Sequence, residues 1–169
     1  PPARSGHALA YDPVRARIVL SSGNSATFAN LSDTWEWDGA TWTQRQPGAS
    51  PSARFGLAMI FDPSRARTLV VDGNEGVPLA DLLEWDGTNW SARNPGAGPR
   101  SRFLHAMIHD SMISRTLVFG GTSGTGGTAA LNDTWLLGSG PPVFLRQPTG
   151  SIVTPARPRQ EASASAARP

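Results

Sequence analysis

The chain has 169 residues, of which 18 are glycine and 15 are proline, about a fifth together against roughly 12% in an average protein. That fraction stays below the ~25–30% at which low-complexity disorder is the default, and six tryptophans also argue for a folded, turn-rich body. The absence of cysteine excludes disulfides, a thiolate zinc site and a cysteine nucleophile, and 15 arginines interspersed with 13 acids leave a net charge of only +2 and no basic stripe for nucleic acid.

No apolar run approaches the roughly 18 residues of a membrane-spanning helix. The first residues are Pro1-Pro2 rather than Met, which reads as a processed, trimmed or partial sequence. Arginine without lysine, with much alanine and glycine, points to a GC-rich bacterial genome.

In chain order, residues 7–11 alternate weakly and stop at Asp12-Pro13, a turn former. Residues 17–21 form a continuous β-branched and aliphatic run, as in a strand covered on both faces. Gly23 closes that run and a loop over 24–32 follows. In Thr34-Trp35-Glu36-Trp37 the side chains alternate, so Trp35 and Trp37 share a face. Asp38-Gly39 then supplies a tight hairpin that brings Trp42 back across from Trp37.

The same order returns twice. Arg4-Ser5-Gly6-His7 recurs as Arg54-Phe55-Gly56-Leu57 and Arg102-Phe103-Leu104-His105, at steps of 50 and 48 residues. Asp12-Pro13 recurs as Asp62-Pro63, and Arg15-Ala16-Arg17 as Arg65-Ala66-Arg67. Each aliphatic run closes on a glycine: Gly23, Gly73 and Gly121. Asp33 to Gly39 is matched by Asp81-Leu82-Leu83-Glu84-Trp85-Asp86-Gly87, and Trp42 by Trp90. The third copy keeps Asp133-Thr134-Trp135, lacks Asp-Gly, and offers Phe144 for the second tryptophan. Three units over 1–49, 50–97 and 98–146 are expected, each of four short strands, giving an all-β chain. Residues 147–169 lack aromatics and are rich in Pro, Ala, Ser and Arg, as in a tail or linker. Ser151-Ile152-Val153-Thr154 is its one β-prone patch.

A period near 50 with four strands, a glycine after the second and a distal tryptophan resembles the kelch repeat. The resemblance spans residues 1–146 and implies β-propeller blades, first strand innermost. The usual double glycine stands only at Gly120-Gly121. A propeller ring takes about four to eight blades. Three blades therefore leave three alternatives: part of a longer propeller, half of a six-bladed ring closed by a second copy, or an open arc with capped ends.

Several residues invite a functional reading. The loops over 24–32, 74–80 and 122–132 share one end of the blades and differ while the strands recur, as binding loops on a rigid scaffold do. Asn24 and Phe28, with Asn74 and Glu75, are the candidate ligand residues there. Arg4, Arg54 and Arg102 begin the innermost strands at the same end. They can bind acidic groups at an axial mouth or hold the blades internally. Kelch domains that take acidic peptides make the mouth reading relevant. Arg15, Arg17, Arg65 and Arg67 read as local turn pairs with Asp12 and Asp62. Asp33, Asp81 and Asp133 read as turn or backbone hydrogen-bond partners, because they recur in every unit. Trp35, Trp37, Trp42, Trp85, Trp90 and Trp135 read as packing between blades, with sugar stacking as the alternative. His7 and His105 align with Leu57, which argues against metal ligation. Oxygens over 72–75 lack EF-hand spacing and occur in one copy. No metal site, cofactor or catalytic residue is assigned.

The kelch-like galactose oxidases need a Cys–Tyr cofactor, excluded here by the lack of cysteine and by Tyr11 as the one tyrosine. The expected function is a non-catalytic module that binds a protein or peptide through the loops of one face. The alternative is a carbohydrate-binding or mutarotase-like propeller. Self-association is a further possibility, neither nucleic acid nor a membrane-spanning segment is expected, and secretion or surface display is favoured.

Overall fold

The computed structural model describes residues 1–94, 96–124, 126, 129–138 and 144–146. The expected tail over 147–169 and the turn over 139–143 lie outside them.

The first unit contains β1 (Arg4–Ser5), β2 (Ala8–Asp12), β3 (Arg17–Ser21), β4 (Asn24–Ser25), β5 (Thr34–Trp37) and β6 (Trp42–Arg45). The second contains β7 (Ala58–Asp62), β8 (Arg67–Val71), β9 (Leu82–Trp85) and β10 (Trp90–Arg93). The third contains β11 (Ala106–Asp110), β12 (Arg115–Phe119), β13 (Thr122–Ser123), β14 (Ala129–Ala130), β15 (Thr134–Leu137) and β16 (Phe144–Arg146). Three four-stranded antiparallel sheets result, in the orders β2-β3-β5-β6, β7-β8-β9-β10 and β11-β12-β15-β16. No helix occurs among the described residues. The chain is all-β, a partial β-propeller of three blades.

Register decides which side chains meet. Ala10, Val19 and Glu36 stand opposite one another across β2, β3 and β5, on the face toward the second blade. Leu9, Leu20 and Trp35 form the neighbouring row and face away. The second blade is covered on both sides. Met59, Val70, Leu83, Trp85 and Trp90 pack on Ala10 and Val19 of the first. On the other face, Leu69, Val71 and Leu82 pack on Val118, Leu137 and Phe144 of the third. This explains the unbroken apolar runs, since both faces of β8 are buried. Fully buried Trp85 removes roughly 200 Å² from water, worth at most about 5 kcal/mol.

The outer hairpins close on tryptophan pairs: Trp37/Trp42 with ring centroids 5.6 Å apart and Trp85/Trp90 at 5.3 Å. Phe144 takes the corresponding place in the third blade, in register with Leu137 and 6.5 Å edge-on from Trp135. The blades are also stitched by backbone bonds near the axis. Gly23 N–H donates to Arg54 O (2.8 Å), Arg54 N–H to Leu31 O (3.1 Å) and Gly56 N–H to Gly6 O (2.8 Å). One blade on, Gly73 donates to Arg102 O (3.1 Å), Arg102 to Leu79 O (3.1 Å) and Leu104 to Gly56 O (2.7 Å).

Candidate ligand-binding cleft

Two groups of predicted residues meet different fates at the loop end of the blades. The arginines turn inward. Arg4 holds Asp33 through both terminal nitrogens at 2.6 and 2.7 Å, and bonds Ser22 O at 3.1 Å. Arg54 bonds Asp81 at 2.6 Å, Asp72 O at 3.0 Å and Ser52 Oγ at 3.0 Å. Arg102 grips Asp133 at 2.8 and 2.9 Å and Gly120 O at 2.8 Å. In each case the guanidinium ties the entry of the innermost strand to the end of the second and the start of the third. Arg54 and Arg102 are buried. Their N–H groups are directed to these internal acceptors rather than to an axial mouth.

The aspartates accordingly accept from side chains rather than from the turn backbone alone. Asp33 and Asp133 each also take the indole N–H of the tryptophan two residues on, at 2.7 Å. The Arg102 hydrogen bonds outweigh burial and hold the Asp133 carboxyl down at about 2. Burial alone would raise Asp33, but Arg4 and Trp35 keep it below the ordinary carboxylate range. Arg15 and Arg65 bond the turn acids Asp12 and Asp62, while Arg17 and Arg67 reach backbone carbonyls.

The loop residues come together. Asn24, Phe28, Asn74 and Glu75 line one open cleft of about 560 Å³, with Asn30, Phe55 and Gly76. It lies between the loops of the first and second blades. The first loop is pinned by Ser25, whose carbonyl accepts Phe28 N–H (2.9 Å) and whose N–H donates to Ala29 O (2.9 Å). That arrangement leaves Phe28 at 85% exposure with φ +60°. A left-handed backbone costs a non-glycine residue about 1–2 kcal/mol. On the floor, Asn24 Nδ2 donates to Asn30 Oδ1 at 2.7 Å, and Asn74 Oδ1 accepts Gly76 N–H at 2.7 Å. Among the described residues, Asn24 Oδ1 and Asn74 Nδ2 have no protein partner, leaving one acceptor and one donor. Phe55 is braced edge-on by Phe103 at 5.7 Å. Among the described residues of the lining, Glu75 is the one that carries a charge.

Sequence reasoning missed Asn30 and Phe55. Phe55 sat within the Arg-x-Gly motif, where Ser5 aligns with it, and gave no sign of facing the loops. It also missed Glu36, a buried acid taking Arg15 (2.5 Å), Arg45 (2.5 and 2.8 Å) and Trp85 Nε1 (2.9 Å). Burial would raise Glu36, yet Trp85 and the two arginines hold it below the usual range.

No protein-family model matches the chain, and no curated protein matches it. Among solved structures, that of YjhT is similar in fold, with a TM-score of 0.64 at 15% identity over 87% of this chain. The match takes in 46% of YjhT, so this chain spans about half the length of that structure. At that identity the likeness shows the fold alone, in agreement with the three antiparallel blades.

Proposed function

We propose that the chain is a kelch-type binding module that takes a peptide or a protein loop in the cleft between its first two blades. The observation that carries this reading is the convergence of Asn24, Phe28, Asn74 and Glu75 on one cleft. A free acceptor and a free donor suit the N–H and C=O of a peptide backbone, and Phe28 and Phe55 suit an apolar side chain. Exposed aromatic rings with nearby amides are common on binding surfaces, because they give contact area at small entropic cost. Glu75 favours a basic group on the ligand. In this reading the arginines act as internal clamps.

The same aromatic and amide set also suits a sugar, by ring stacking and paired hydrogen bonds to hydroxyls. The discriminating experiment is a peptide display selection run beside a glycan array. A binding module yields peptides that lose affinity at least tenfold on Phe28→Ala or Asn74→Ala and rise in frequency for Arg or Lys. Glycan binding that depends on Phe28, with no peptide selected, overturns the peptide reading in favour of carbohydrate. Selected peptides indifferent to both substitutions remove the cleft.

A further inference from the structure

Among the described residues, the outer faces of the first and third blades have no blade against them, and they are complementary in the manner of the two contacts already formed. Gly23 and Leu31 of the first blade bond Arg54, and Gly73 and Leu79 of the second bond Arg102. Continuing the series, the third blade offers Gly121 N–H, Leu131 O and Leu104 O. None of the three has such a bond among the described residues. Arg4 and Gly6 of the first blade stand where Arg54 and Gly56 stand in the second.

Side chains follow the same logic. On the second blade Met59, Phe61, Trp85 and Trp90 are buried. Their first-blade counterparts are Leu9, Tyr11, Trp37 and Trp42, with Leu9 49% and Tyr11 58% exposed. On the far face, Ile108 and Phe119 of the third blade are 61% and 49% exposed, where Val71 of the second is fully buried. Trp90 Nε1 donates to Thr34 at 2.9 Å, and Thr134 waits at the matching position for Trp42.

The turns agree. Arg15 packs so closely on the outer turn of the second blade that a Cβ at Gly87 would lie 2.7 Å from it. Arg65 donates to Gly138 O of the third blade at 2.5 Å. Nothing lies within 4 Å of the equivalent position at Gly39. In the third blade, Ile113 replaces Arg15 and Arg65, and Leu136 replaces Glu36 and Glu84. Both members of an ion pair have become aliphatic together. Leu136 is already buried, but Ile113 is 48% exposed, and a covering blade would bury it at no ionic desolvation cost.

We propose that two copies of this chain associate head to tail, the third blade of each against the first blade of the other, closing a six-bladed ring. Two copies also supply about the length of the solved structure that one copy half covers. Two identical contacts related by one two-fold axis make the assembly closed rather than filamentous.

Sedimentation of the 169-residue chain over a wide concentration range tests this, with Leu9→Asp and Ile108→Asp as single-face variants. Both positions are exposed in the isolated chain, and tryptophan fluorescence checks that each variant folds. The wild type should sediment at twice its 17.9 kDa mass, and each variant alone as a monomer. An equimolar mixture of the variants should recover dimer, because the mixed pair keeps one unaltered contact. A folded wild-type monomer overturns the proposal, as would further blades in the same polypeptide filling these faces. An open-ended ladder of species, a dimer indifferent to both substitutions, or a mixture that stays monomeric overturns it too.

Discussion

Trp85 of the second blade donates its indole N–H to Glu36 of the first at 2.9 Å, across a largely apolar contact that also holds Trp90. Glu36 is buried, and Arg15 and Arg45 complete its partners while reaching solvent with part of their surface. Replacing Glu36 by Leu removes the acceptor of the indole and of Arg45 and leaves Arg15 with Asp12 alone. We expect a loss of about 2–3 kcal/mol, below the 3–5 kcal/mol of a fully buried pair because both arginines are partly hydrated. Adding Arg15→Ile, the third blade's own combination, should return part of that loss. Urea unfolding measures both, and a neutral Glu36→Leu contradicts the assignment.

The Arg102–Asp133 clamp sets an acid limit. Asp133 titrates at about 2 in the folded chain instead of the ordinary 3.8. A lowered folded value adds stability that is complete above the unfolded value and disappears as pH falls through the folded one. Stability should therefore drop between pH ~4 and ~2, and Asp133→Asn should flatten that part of the profile. An unchanged slope in the variant counts against the clamp.

Asp72 behaves in the opposite sense. Burial, aided by the charge of Asp81, raises it from 3.8 to about 8. Its Oδ2 is buried without a hydrogen bond while Oδ1 accepts Asp81 N–H at 3.1 Å. A raised folded value means that stability is complete below about 4 and declines as pH rises through about 8. Asp72→Asn keeps the Oδ1 acceptor and cannot ionise. It should raise the thermal midpoint at pH 8 and leave it nearly unchanged at pH 4. A larger gain at pH 4 than at pH 8 rejects this reading.

Gly23 sits at φ +102°, and a Cβ there would lie 2.7 Å from Ser5 O and 2.9 Å from His7 Cβ. Gly39 has the same φ with nothing within 4 Å. Both alanine substitutions pay the backbone cost of about 1 kcal/mol, but only Gly23→Ala also forces the innermost strand to move. Its midpoint should fall clearly further in thermal unfolding. Equal losses would mean that the inner strand has slack at this point.

Much of the fold was legible because the repeat fixes it locally. Strand-end glycines, Asp-Gly hairpins and alternating tryptophans mark strand ends and register without reference to distant residues. Glu36 escaped for a physical reason. Alternation in Thr34-Trp35-Glu36-Trp37 places the acid opposite the tryptophans, which looks like a solvent face, yet the second blade covers that face of the first. Arg4, Arg54 and Arg102 could be read two ways, since the same guanidinium serves a carboxylate from a ligand or from the next strand. The cleft depended on how one blade's loop is staggered against its neighbour's. Spacing along the chain carries no trace of that stagger, so Asn24 and Phe28 could be named while Phe55 could not.

The most direct measurement is hydrogen exchange with and without a display-selected peptide. The binding reading predicts protection confined to residues 24–31, 54–56 and 74–77, the first two loops and the strand entry between them. Protection at the opposite end, around Asp12-Pro13 and Asp62-Pro63, or along the outer strands β6 and β10, would contradict it.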